Sequence, residues 1–202
     1  MRRSTSELLS RLTPVSAGDE PKERGMVLLC SGGVDSSTLA HAVLANGRPP
    51  SLLFVDYGQP AAEAERRAVS RLSDDLGVAA RTAMVRAASI RAGEIPGRNA
   101  MLIGVAQMYV QQHGQIGIGI HAGTGYADCS PSFVRATQDM LDVQHDGRVE
   151  LVAPFVGWHK SDVLKLGHSL GVDLARCHSC ETANVPCGEC RSCLDRKELH
   201  VG

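Results

Sequence analysis

Between Leu28 and Thr38 the chain reads LLCSGGVDSST, an apolar run broken by two glycines, three serines and one acid. Small residues at a strand-to-helix turn let a ligand approach the main chain, and the unpaired amides at the positive end of a helix attract anions. The stretch Cys30, Ser31, Gly32, Gly33, Val34, Asp35, Ser36 and Ser37 therefore has the residue types of a phosphate cradle, with the serines as extra hydroxyl donors. Asp35 is the informative member. An acid beside phosphate is repulsive unless a cation lies between them, so it points to Mg²⁺ bridging to a polyphosphate. The glycine spacing is neither G-x-G-x-x-G nor the Walker loop, and no lysine follows.

A second cluster lies at the other end. Of seven cysteines, Cys177, Cys180, Cys187, Cys190 and Cys193 crowd the last 26 residues, and Cys-x₂-Cys occurs three times among them. Reduced thiols at this spacing point to metal before disulfide, and they outnumber the four that one tetrahedral zinc uses. Four thiolates suit zinc or an iron–sulfur cluster.

Both clusters need a scaffold. MVLLC (26–30) is a short buried-strand run, and SSTLAHAVLANG has helical apolar spacing and stops at Gly47. PSLLFVDYG repeats the strand signal, and AAEAERRAVSRLSDDLGV repeats the helix signal and closes at Gly77. AARTAMVRA reads as a third strand, NAMLIGVAQMYVQQHG as a helix, QIGIGIHAG as a Gly-rich buried strand and PSFVRATQDMLDVQ as another helix. SDVLKLGHSLGV is a further helix with Lys160 at its start. This alternation predicts an α/β fold, a Rossmann-like parallel sheet with helices on both faces. Ligands in such sheets bind at the carboxyl ends of the strands, which gathers CSGGVDSS, DYGQ, HAGTGYADC and PFVGWHK at one rim. The expected division is a leader or arm over 1–24, a nucleotide-binding α/β domain over 25–175 and a small cysteine-rich zinc-binding segment over 176–202. Within the leader, STSELLSRL has the spacing of a short capped helix.

Composition narrows the classes of function. The 21 basic and 22 acidic side chains leave a net charge of −1, so no global field draws the chain to nucleic acid or a membrane. No apolar run approaches the roughly 20 residues that a bilayer requires, and the first 25 residues lack a signal-peptide core, so the chain reads as cytoplasmic. Aromatics are 3%, so the core is expected to be built mainly from Leu, Val, Ile and Ala.

SGGVDSS resembles the S-G-G-x-D-S signature of the PP-loop ATP pyrophosphatases. With DYGQ (56–59), IPGRN (95–99), GYADC (125–129), APF (153–155), Lys160 and CGECRSCLDR (187–196) in order, the chain is similar to the 7-cyano-7-deazaguanine synthase family over roughly Val27 to Arg196. The resemblance implies an enzyme that uses ATP twice. It converts 7-carboxy-7-deazaguanine to its amide with ammonia, then dehydrates the amide to a nitrile. Adenylation turns a poor leaving oxygen into a phosphate ester, so cradling and positioning matter more than a strong base. Cys30 and Cys129 are not needed as nucleophiles by this route.

On this reading Asp35 holds Mg²⁺, Lys160 clamps the departing phosphates and Arg98 faces phosphate, the three forming the catalytic set. Residues 30–37 with Asp56 and Tyr57 hold ATP. Gln59, Asn99, Gly123, Tyr126 and Asp128 are expected on the substrate, with Tyr126 stacking on the ring and Asp128 accepting from the guanine-like edge. Asn99 alternatively only caps a helix. The family pattern maps the metal ligands onto Cys180, Cys187, Cys190 and Cys193, leaves Cys177 spare, and makes the zinc structural. Related synthases pair as homodimers. Three departures stand out: a short MVRAASIRAGE before IPGRN, Glu181 where the family has Tyr, and Ser130 where it has Arg. They keep an alternative open, an offshoot ligase that conjugates the activated deazapurine acid to an amine on a protein partner.

Overall fold

The computed structural model describes residues 25–86, 95–122 and 124–198. The leader with its expected helix, most of the short stretch before Ile95, and Gly123 lie outside them. Its strands are β1 (Met26–Leu29), β2 (Ser51–Asp56), β3 (Ala80–Met84), β4 (Gln115–Gly117) and β5 (Glu150–Val152). Its helices are α1 (Val34–Ala45), α2 (Ala62–Leu76), α3 (Arg98–Ala106), α4 (Pro131–His145), α5 (Lys160–Ser169) and α6 (Arg191–Glu198). All strand pairs are parallel, in the order β3-β2-β1-β4-β5. The chain thus winds outward from β1 in one direction and then, from β4, in the other. The crevice beyond β1 and β4 is the switch point where such sheets bind ligands.

Strand β1 is buried at every position because helices cover both faces, and successive residues feed different cores. Leu28 packs with Leu39 and Val43 of α1, Val69 and Leu72 of α2, and Val163 and Leu166 of α5. Val27 and Leu29 pack with Ile103 of α3, Leu141 of α4 and Ile116 of β4. Each fully buried Leu, Ile or Val contributes about 1.5–3 kcal/mol. Helix α1 is buried on nearly all sides, whereas α2 buries only Ala64, Ala68, Val69 and Leu72 and turns its charges outward. Gly77 ends α2 in the left-handed conformation at φ 64°, as the sequence predicts. Helix α4 starts on Ser130, whose Oγ accepts the Phe133 N–H at 3.2 Å, with Pro131 in the first turn. That cap is the role Ser130 plays here.

Two expected elements are shorter than their apolar runs. Helix α3 stops at Ala106 and tapers through tighter turns to Val110, because Met108 is 81% exposed and finds no core to face. Strand β4 ends at Gly117, although the Ile118 N–H still donates to Val152 O at 3.0 Å. Strand β5 and helix α6 are additions, too short to show a period. Among the described residues no helix is long and apolar enough to cross a membrane.

Candidate active site

The glycine turn lies where expected, between β1 and α1. Gly32 adopts φ 71°, and a Cβ there would fall 2.5 Å from the Ala68 Cβ on α2, so only glycine fits. The Ser37 N–H makes the first intrahelical bond, to Gly33 O at 3.0 Å, so the amides just before it lie at the open start of α1. Ser31, Gly33, Val34, Asp35 and Ser36 line a cavity of about 530 Å³, within the range of small-ligand sites. Cys30 also lines it, but burial pushes its thiol up to about 11, and burial likewise raises Cys129; both stay as thiols and are poor nucleophiles. Gly32 and Ser37 stand behind the wall.

Lys160 Nζ donates to both Asp35 oxygens, at 2.6 and 2.7 Å, across 125 residues of sequence. Lys160 opens α5, where the helix dipole disfavours a cation, so the position makes sense only through what it faces. His121 completes the group. Its Nδ1 lies 2.7 Å from the Ala122 carbonyl, and its Nε2 lies 3.7 Å from Asp35 Oδ2. The sequence reading missed His121 as a side chain, although it stands in the quoted rim segment HAGTGYADC.

A second wall forms at the end of β2. Gln59 Oε1 accepts the Tyr57 N–H at 2.9 Å, and its Nε2 donates to Val55 O at 3.2 Å and to Glu65 Oε2 at 2.7 Å. Gln59 lines the cavity as well, but both its amide hydrogens are thereby engaged, one of them by Glu65. Glu65 and Arg98 line the cavity, as do Tyr57, Asn99 and Tyr126. Burial pushes the Glu65 carboxyl above its usual range, against the Gln59 amide and the Arg98 charge. Burial also raises Tyr57, against the charge and hydrogen bond of Arg98. No local signal singles out Glu65, one of several charges on an amphipathic helix.

Asp56 and Asp128 are not among the residues lining this cavity. Asp56 Oδ1 accepts the Gly58 N–H at 3.1 Å. Asp128 Oδ2 accepts the Asn99 N–H at 3.2 Å, and its carbonyl accepts from Asn99 Nδ2 at 3.1 Å. Asp128 therefore caps the start of α3 and, through it, positions Arg98. Asn99 is buried by the same bonds.

The cysteine segment forms the remaining wall. The sulfurs of Cys180, Cys187, Cys190 and Cys193 all lie within 4.8 Å of one another. A tetrahedron with metal–sulfur bonds of about 2.3 Å has sulfur–sulfur edges of about 3.8 Å, so the four fit one zinc ion. The Thr182 hydroxyl, then the amides of Cys190 and Glu189, hold the Cys187 thiol down to about 6, whereas burial pushes its neighbour Cys190 up to about 12. Cys177 stands outside the group, its Sγ 3.7 Å from Asp173 O. The segment is bound to the turn itself. The His178 N–H donates to Gly32 O at 3.0 Å, and Asn184 Oδ1 accepts the Ala64 N–H at 2.9 Å. Glu181 lines the cavity with its Oε1 held by Ser192 Oγ at 2.5 Å.

Comparison with known proteins shows the family. The family model described as "Queuosine biosynthesis protein QueC" matches residues 25–91 and 81–201. The 7-cyano-7-deazaguanine synthase of Haloarcula marismortui is 33% identical over 204 residues, covering 85% of this chain and 88% of that protein. The synthase of the same name from Methanospirillum hungatei JF-1 is 34% identical, covering 85% and 92%. That of Aquifex aeolicus is 28% identical, covering 90% and 98%. The match runs from the first strand through the glycine turn to the four gathered cysteines, and the chain belongs to the QueC family.

Proposed function

We propose that the chain converts 7-carboxy-7-deazaguanine and ammonia to 7-cyano-7-deazaguanine, using ATP to adenylate first the carboxylate and then the amide. The observation that carries this reading is the Asp35–Lys160 pair on the glycine turn, inside a cavity large enough for a nucleotide's reacting end and a heterocycle. Family membership supports the substrate and product.

The phosphates lie against the start of α1, where the amides near Gly33 and the hydroxyls of Ser31 and Ser36 donate to them. Lys160 shifts its charge from Asp35 toward the departing pyrophosphate. Asp35, a hard oxygen donor on the cavity wall, fits Mg²⁺, which when bound offsets phosphate charge. Arg98, on the same cavity wall as Tyr57 and Glu65, faces the bound deazapurine. In each half the carbon–oxygen bond to AMP breaks and the pair of electrons leaves with AMP. Ammonia nitrogen bonds to carbon in the first; in the second, loss of the N–H protons leaves the nitrile. The four cysteines hold zinc as a closed structural site that sets the third wall.

Pyrophosphate release from ATP is expected only when 7-carboxy-7-deazaguanine is added. Release that ignores this acid, or none with it, counts against the reading.

A further inference from the structure

ATP and the acid substrate each bring an anion into the cavity, ATP its phosphates and the substrate its carboxylate. A carboxylate in the wall repels both. Glu65 is nevertheless on that wall, and the surrounding bonds keep it there. The Gln59 amide cannot turn, because Oε1 holds the Tyr57 N–H, and its Nε2 reaches Glu65 Oε2 at 2.7 Å. The guanidinium of Arg98 is close enough to act electrostatically on both Glu65 and Tyr57. A carboxylate held beside a cation suits a neutral partner with hydrogen-bond donors next to an acceptor; a free ammonium ion would meet the arginine's charge.

A guanine-type edge has that order: an exocyclic amine and a ring N–H, both donors, followed by a carbonyl. A carboxylate can accept from two donors side by side, and Arg can donate to the carbonyl. Asp128, the carboxylate the sequence suggests for this role, is engaged by the Asn99 amide and lies off the cavity wall.

We infer that Glu65, held by Gln59, is the residue that recognises the amine and ring N–H of the deazapurine, with Arg98 on its carbonyl. The inference rests on the function proposed above and assigns the specificity of that site. Gln59 is a positioning residue here, acting through Glu65.

The test uses the full chain, saturating ATP and two probes, 7-carboxy-7-deazaguanine and its analogue lacking the 2-amino group. The unaltered chain is expected to favour the first by about ten- to a hundredfold in kcat/KM for pyrophosphate release, because the analogue leaves a buried acceptor unpaired. In Glu65→Gln the preference should fall to about threefold or less, with the KM for ATP within about twofold. Glu65→Asp, which keeps the charge but withdraws it, should lose most of the preference too, and serves if the glutamine variant folds poorly. A preference that survives in both variants overturns the inference, as does a loss that falls on the KM for ATP instead. No pyrophosphate release by the unaltered chain with either probe overturns the proposed function, and this assignment with it.

Discussion

Asp35 gathers the charged side chains at the glycine turn. It accepts Lys160 with both oxygens and has His121 on its other side, so a neutral replacement removes one charge while leaving the turn's shape. Asp35→Asn is therefore expected to keep the fold and lose pyrophosphate release by about a hundredfold or more, the size typical of a lost preorganised electrostatic group. A pyrophosphate assay across a Mg²⁺ titration checks this; near-normal turnover at limiting Mg²⁺ contradicts it. Cys30 gives a pH prediction. Burial raises its folded value from 9.0 to about 11, so over that window the unfolded chain sheds the proton first. The contribution to stability is whole below pH 9 and shrinks as pH rises toward 11, by about 2–3 kcal/mol in total. Urea melts at pH 8 and pH 10.5 should show a smaller alkaline loss in Cys30→Ala than in the unaltered chain. What was legible among single residues follows from contiguity. Asp35 and the serines sit in one short motif, whereas Glu65 reaches the cavity only because α2 packs beside the end of β2, a tertiary fact with no local mark.

Helices α1 and α5 cross closely at Thr38 and Gly167. Thr38 is fully buried, its Oγ1 has no hydrogen-bond partner among the described residues, and a Cβ on Gly167 would stand 2.7 Å from that oxygen. Thr38→Val keeps the shape and removes the unpaired hydroxyl, so it should stabilise the fold by about 1 kcal/mol, whereas Gly167→Ala should cost about 1–3 kcal/mol through overpacking. Urea denaturation of both variants measures the difference; a destabilising Thr38→Val would show that the hydroxyl has a partner. In the cysteine segment, Cys187→Ser should strip the metal and lower soluble yield, while Cys177→Ser should leave one zinc per chain by elemental analysis. Equal zinc in both would mean that a different four bind. Strands β1 and β2 were legible because strands buried on both faces read as unbroken apolar runs. Helix α3 was over-read past Ala106 because an apolar run does not reveal that Met108 points outward. Strand β5, three residues long, carries too little pattern to be read at all.

Taken together, the sheet order brings the end of β1, the end of β2, the start of α5 and the cysteine segment around one cavity. The alternation of strands and helices announces that rim, but the docking of residues 178–184 onto Gly32 and Ala64 is a long-range event that spacing alone cannot express. The same closure makes the cysteine segment part of the cavity wall through Glu181 and Ser192. The decisive measurement is mass spectrometry of the products formed from ATP, 7-carboxy-7-deazaguanine and ¹⁵N-ammonium. A synthase predicts 7-cyano-7-deazaguanine carrying one ¹⁵N in its nitrile, with AMP formed beside it. AMP without a labelled nitrile, or the deazapurine acid attached instead to a protein amine, would contradict it.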